Sequence, residues 1–319
     1  MDSVHFVNLA LSTLKCNQKE LATRLNVSPT QISKWKKGEF MSEDMEAKFR
    51  EITQIGDLSP QLVEWAGSIE NAQKWDTLIH FLAERAMDNE ETGYITEPLQ
   101  DDLGLLVSHT LYVLNEMALP APKTFPVELE MDYYDTNEED DERLWDMIDN
   151  NLHASTIYKI YLSLNNVYGF YAAYVDELIN DDALDIYDTD IVNIEGELLS
   201  LAATKIEADP DTFPGFRKFC HQVKGDYEDW LSKLKLRAFR AGIPLRAELL
   251  QMVYGTGNEL SVEAEAESLE FNKNRIHPDI YMNELLTSMR IIHQVLPEIM
   301  KKLEITDFEL DTSDLRVRR

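Results

Sequence analysis

The stretch Asn17-Gln18-Lys19-Glu20-Leu21-Ala22-Thr23-Arg24-Leu25-Asn26-Val27-Ser28-Pro29-Thr30-Gln31-Ile32-Ser33-Lys34-Trp35-Lys36-Lys37-Gly38 decides how the front of this chain folds. The Asn17 side chain can cap a short amphipathic helix that starts at Gln18. Asn26 stands where a left-handed residue would end it, a conformation that Asn tolerates better than most non-glycines. Ser28 is a good N-cap and Pro29 a good first helical residue, so a second helix should run from Pro29 to Lys37 and stop at Gly38. Two short helices then meet across a three-residue turn. Leu21, Ala22, Leu25, Val27, Ile32 and Trp35 face inward, and the small Ala22 lets the helices approach closely.

Charge changes sharply beyond this stretch. From Met1 to Ile52 eight bases stand against seven acids, net plus 1, whereas the whole chain of 319 residues carries 30 Lys and Arg against 59 Asp and Glu, a formal charge of minus 29. The remainder therefore carries minus 30. A potential of that size acts on partners rather than on fold, so a near-neutral head on an acidic body implies two jobs, with any anion met at the front. Gly56-Asp57-Leu58-Ser59-Pro60 interrupts the helical pattern, and Ser59-Pro60 can cap a new helix. This divides the chain into a head over 1–56 and a body over 57–319.

In the body, apolar residues recur at three and four spacing over 62–69, 75–87, 103–117, 144–178, 191–206, 216–239, 245–253 and 280–303. With few glycines and little alternation, an all-α fold follows. Phe125-Pro126-Val127-Glu128-Leu129-Glu130-Met131 alternates beside Pro120 and Pro122 and reads as a loop with one extended edge. It lies in an acidic loop over about 119–143, and the nine acids between Asp132 and Asp149 against one base, Arg143, read as a solvated linker leading into a helix. Asp226-Tyr227-Glu228-Asp229 reads as the acidic start, and Lys233, Lys235, Arg237 and Arg240 as the basic end, of a helix matched to its dipole and closed by Gly242 and Pro244. No repeat of fixed period is present.

Several classes of function are set aside. A chain that is 44% hydrophobic is too apolar for disorder. Its most apolar stretch, Leu103 to Leu114, falls well short of the roughly 20 residues that span a bilayer, so no membrane partner is expected. Two cysteines far apart, Cys16 and Cys220, and the lack of a secretory signal fit a reduced, cytoplasmic protein. The seven histidines are scattered and make no HExxH or comparable ligand spacing, Cys220-His221 has no third partner, and Gly255-Thr256-Gly257-Asn258 lacks the Lys-Ser/Thr of a phosphate loop and reads as a turn. No metal, cofactor or enzymatic activity is expected.

The run Gln18-Lys19-Glu20-Leu21-Ala22, Leu25-Asn26-Val27-Ser28, Ile32-Ser33-Lys34-Trp35 and Gly38 resembles the Cro/cI-type (XRE) helix-turn-helix of repressors. The resemblance covers roughly Val4 to Ile52, about one sixth of the chain. It implies a λ-repressor-like head that binds a double-stranded DNA operator, with Thr30, Gln31 and Lys34 against base edges and Gln18 at a phosphate. The chemistry agrees: Gln pairs bidentately with adenine, Lys donates to guanine, and the Thr methyl meets that of thymine. Ser28, Lys36 and Lys37 would lie at the backbone, where cations supply affinity without sequence information. Members of the family often carry Glu at the position of Lys36, paired with an Arg on the first helix. Here Leu11 stands at the matching place, so that pair is replaced as a unit.

A head this small and weakly charged holds one half-site poorly, so a homodimer is expected. Within the body, Tyr158, Tyr161, Tyr168 and Tyr171 crowd one helix over 151–178. They read as core residues whose hydroxyls find partners, or as the lining of an effector pocket for a peptide or small molecule. Two functions remain open: a transcriptional regulator of the repressor kind with a sensing and dimerising body, or an interaction factor, such as an antitoxin or phage-defence component, whose acidic body binds a basic protein and whose head autoregulates.

Overall fold

The computed structural model describes residues 3–134, 138–209 and 212–305. In it α1 (Ser3–Thr13), α2 (Gln18–Arg24), α3 (Pro29–Trp35), α4 (Glu43–Thr53) and α5 (Pro60–Ala66) come first. Phe6, Leu21, Ile32, Trp35 and Phe49 from four of these helices share one core, with Phe49 set against Phe6 and edge-on to Trp35. The segment over 56–60 is bonded in place: the Arg50 guanidinium donates to the Gly56 and Leu58 carbonyls at 2.7 and 2.9 Å. Pro60 opens α5 and Gly67 closes it at positive φ. α5 packs on α1, where His5 meets Glu64 at 2.7 Å.

Next come α6 (Ile69–Met87), α7 (Glu97–Gln100), α8 (Leu106–Glu116), α9 (Glu138–Asn150) and α10 (Leu152–Tyr174). α5 also packs on α6 and α8, which makes it a strut shared by the first helices and the rest. The chain goes on through α11 (Asp176–Ile179), α12 (Leu198–Ala203), α13 (Phe216–Ala241), α14 (Gln251–Tyr254), α15 (Gly257–Ser268) and α16 (Met282–Lys302). Short 3-10 turns stand at Val127–Leu129, Asp182–Leu184, Asp190–Glu197 and Ala247–Leu250. The only β-type pairing among the described residues is one isolated bridge, Arg246 with Asp279, so the fold is all-α, as its periodicity implies.

α10 is the axis of the body. Asn151 caps it, apolar residues surround it, and α6, α12 and α15 pack against it. A helix apolar on all sides must be buried. Its buried Asn165 is satisfied at both ends of the amide: Nδ2 donates to the Ala86 carbonyl at 2.7 Å, and Oδ1 accepts from Thr96 Oγ1 at 2.8 Å. Gly169 lies against Thr92, and a Cβ there would collide with the Thr92 hydroxyl.

Four readings of the sequence change. The stretch over 125–131 forms a 3-10 turn rather than an extended edge, because Phe125, Leu129 and Tyr133 point inward at a spacing of four while Val127 faces water. Phe125 meets Trp75 edge-on and Tyr133 stacks on Phe81, so the segment plugs one side of α6. The acidic loop ends earlier than 143, since α9 begins at Glu138. α13 begins at Phe216, ten residues before Asp226, so its acids lie in mid-helix and only its basic end at Arg240 complements the dipole, with Gly242 closing at φ 70°. The turn at Gly255 to Asn258 is a helix start: Thr256 caps α15 in a capping box with Glu259.

Candidate nucleic-acid interface

The turn between α2 and α3 is built from local hydrogen bonds. Asn17 Oδ1 accepts from the Lys19 and Glu20 amides at 3.0 and 3.1 Å, while Glu20 Oε2 accepts from the Asn17 amide at 3.0 Å. This reciprocal cap fixes where α2 starts. Asn26 takes φ 54°, and the Val27 amide then reaches back to the Ala22 carbonyl at 2.9 Å. Ser28 Oγ accepts from the Gln31 amide at 3.1 Å and starts α3. Across the pair, Ser33 Oγ donates to Gln18 Oε1 at 3.3 Å. Trp35 is buried, and its indole donates to the Phe40 carbonyl at 3.1 Å, which pins the loop after α3.

With Ile32 and Trp35 turned inward, α3 presents the opposite side to solvent. Thr30 and Lys34, one turn apart, are exposed, Gln31 beside them is half-buried, and Lys36 and Lys37 are exposed just beyond. Lys34 Nζ pairs with Glu39 at 3.2 Å. An exposed pair of this kind contributes about 0–1 kcal/mol and gives way readily to a phosphate or a base edge. The expected base-facing residues therefore share one surface, with Ser28 and Gln18 at its upper edge, each engaged in holding the turn. Leu11, half-buried, packs against the core, and Lys36 stands away from it.

Residues that the sequence reading passed over adjoin this surface. Lys19 and Arg24 are exposed on α2. Phe40, 87% exposed, follows the basic pair in the chain; it lies in the loop after α3, where periodicity carries no signal.

The tyrosines of α10 are packed. Tyr161 is fully buried, with its hydroxyl 2.6 Å from Thr110 Oγ1, and burial raises its pKa strongly. Tyr168 and Tyr171 are buried against each other, with their phenols held neutral by burial and by the nearby Glu195 and Glu97 carboxylates. Tyr158 lies tilted against Trp145, with ring centroids 4.9 Å apart, and accepts from Asn89. The burial of Tyr161, Tyr168 and Tyr171 and the bonded hydroxyls of Tyr158 and Tyr161 favour the core reading of this helix over an effector pocket.

A cleft of about 800 Å³ lies elsewhere, between α5, α8, α12 and α13, lined by Trp65, His109, Tyr112, Glu116, Glu197 and Asp226 among others. The Glu197 carboxyl is held above the usual range by burial and by Asp226, with His109 opposing them. Its wall is mostly acidic and aromatic, with Arg50 also in the lining, and it touches the strut helix α5. Sequence reading could not find it, because the lining comes from four separated segments.

His80 pairs with Asp101 at 3.0 Å. Asp101 also accepts from the Leu105 and Leu106 amides at 2.7 and 2.8 Å, which fastens α6 to the start of α8. Among the described residues no group of three or more His, Cys, Asp and Glu could hold a metal ion, and no helix is long and apolar enough to cross a membrane. Comparison of the chain with protein-family profiles, with curated proteins and with solved structures finds no match.

Proposed function

We infer that the chain is a sequence-specific DNA-binding regulator whose head, 1–56, is a Cro/cI-type helix-turn-helix. In this reading α3 enters the major groove with Thr30, Gln31 and Lys34 toward base edges, while Gln18, Ser28, Lys36 and Lys37 hold the flanking phosphates. The observation that carries it is the capped, close pairing of α2 and α3, which buries Ile32 and Trp35 and leaves one polar and basic face outward. The protein would work in the cytoplasm as a binding protein rather than an enzyme, in two copies on half-sites about 34 Å apart or a multiple of it.

Selection of tight-binding duplexes from a random library, followed by fluorescence anisotropy, tests the reading. Selection should return a two-fold-related site, and Lys34→Ala should relax one base position while Lys37→Ala weakens all duplexes alike. Recovery of no preferred sequence would count against it.

A second reading, a body that captures a basic protein, draws on the acidic cleft beside α5. Titration with a short oligoarginine peptide tests it: binding that Glu197→Gln and Asp226→Asn together weaken supports that role, and binding indifferent to both does not.

A further inference from the structure

Every described apolar residue of α16 except half-buried Met300 faces solvent. Met282, Leu285, Met289, Ile292, Leu296, Ile299 and the adjoining Leu303 are each between 41% and 65% exposed. Their spacing alternates three and four without a break, a heptad seam over three turns of the repeat, and Leu286 and Val295 widen it on both flanks. Arg290, Gln294 and Lys301 lie off the seam. Most helical stability comes from packing of an apolar face, so a solitary helix of 21 residues with an uncovered stripe is half of an interface.

The base of this helix is rigid. The Ile280 amide donates to the Leu245 carbonyl at 2.8 Å. Tyr281 donates its hydroxyl to the Lys235 carbonyl, and its ring meets Phe239 edge-on. Beside it, the buried Glu248 accepts from His277 at 2.9 Å and lies 3.5 Å from Arg275, whose other contact is Glu263 at 2.8 Å. A helix rooted this firmly projects in a set direction.

We propose that α16 pairs with α16 of a second copy of this chain, antiparallel, through the seam from Leu285 to Leu303. A strict heptad stripe is complementary to itself, and two copies about a two-fold axis bury the same patch on each side. Charge sets the direction. Parallel pairing would put two bodies of an acidic chain, net minus 29 each, side by side. Antiparallel pairing holds them at opposite ends of a rod about 31 Å long at 1.5 Å per residue, and it brings Lys301 and Lys302 of each copy to the acidic body of the other. The same net charge disfavours an anionic bilayer as the occupant. The pairing stands on α16 alone, whereas its bearing on operator geometry rests on the proposed DNA reading; the test below uses no DNA, so the two fail separately.

Sedimentation of the full chain at tens of micromolar should show a dimer. Ile292→Asp should yield a monomer in which the other helices stay folded, because the residue contributes to no core, whereas Gln294→Asp on the outer face should leave the dimer intact. In a chain with Cys16→Ser and Cys220→Ser, Leu285→Cys and Leu303→Cys together should form an interchain disulfide on oxidation, and neither should do so alone. A monomeric parent chain, or a dimer that survives Ile292→Asp, overturns the proposal. Cross-linking by Leu285→Cys alone overturns the antiparallel arrangement, and flotation of a monomeric chain with phosphatidylglycerol vesicles would assign the seam to a bilayer instead.

Discussion

α10 and α16 are both long, apolar-rich helices, yet α10 buries fourteen of its 23 residues and no described side chain of α16 is buried. The difference lies in how the apolar residues are spread. In α10 they occupy the whole circumference, which only a surrounding protein can satisfy, and α6, α12 and α15 supply it. In α16 all but Ile291 and Pro297 form one stripe at the coiled-coil spacing, and one partner helix suffices. The first helix holds the chain together, and the second reaches beyond it. α3 is a third case: its inner side belongs to the head core, and its outer side is polar and cationic, the side that the proposed reading sets in a phosphate-lined groove.

The largest loss is expected at the centre of α10. Tyr161→Ala removes a sealed ring and orphans the Thr110 hydroxyl, and it should cost about 3–5 kcal/mol in urea unfolding. Ile292→Ala, the same kind of truncation on α16, should change the stability of the monomer by less than about 0.5 kcal/mol when measured at high dilution. Similar losses at the two sites would mean that α16 is covered within its own chain.

Gly169→Ala comes next. The added methyl meets Thr92, and the strain should cost about 1–3 kcal/mol, with Thr92→Ala in the same chain, which removes the colliding hydroxyl, restoring part of it. Stability unaffected by Gly169→Ala would show that α10 and the Thr92 segment are less tightly apposed than described.

At α3 the proposed reading places the expected effects on binding rather than folding. Lys34→Ala should lose about 1–3 kcal/mol of discrimination at one base, and Lys37→Ala should reduce the salt slope by about 1 with no change of preferred sequence. Equal losses on operator and scrambled duplex from Lys34→Ala would move that side chain to the phosphates.

The smallest effect is set by pH. Burial draws the His80 imidazolium down, but the Asp76 carbonyl and the Asp101 carboxylate outweigh it, and the pKa lies above the ordinary value. The protonated ring is thus favoured by folding. Its stabilisation is present in full below the unfolded pKa of about 6.5 and fades as pH rises through the folded one. Thermal melts between pH 6 and pH 8.5 should show this decline, and His80→Gln should flatten it; a parallel decline in the variant would assign it to other groups.

What the sequence made legible follows the range of each interaction. The α2 to α3 turn could be read residue by residue because Asn17, Asn26 and Ser28 act on amides two to five positions away, and all three behave as their chemistry dictates. α10 was legible as a core helix for the same reason that its tyrosines could be mistaken for a pocket: rings on every side announce burial without saying what surrounds them. The acids at Asp226 to Asp229 mimic a helix start, but the apolar run from Phe216 already carries the helix through them. The cleft and the solitude of α16 depend on which distant segments come near, and periodicity is silent on that.

The most direct test of the account joins its two outward faces. Anisotropy is measured on a selected duplex bearing two half-sites, on one bearing a single half-site, and on scrambled DNA, with the parent chain and with Ile292→Asp. The parent should bind the two-site duplex at least about tenfold more tightly than the single site, a difference of about 1.4 kcal/mol, and Ile292→Asp should abolish that advantage while still preferring a half-site to scrambled DNA. Equal binding of all three duplexes by the parent chain would contradict the claim that this protein reads DNA through α3 in a pair.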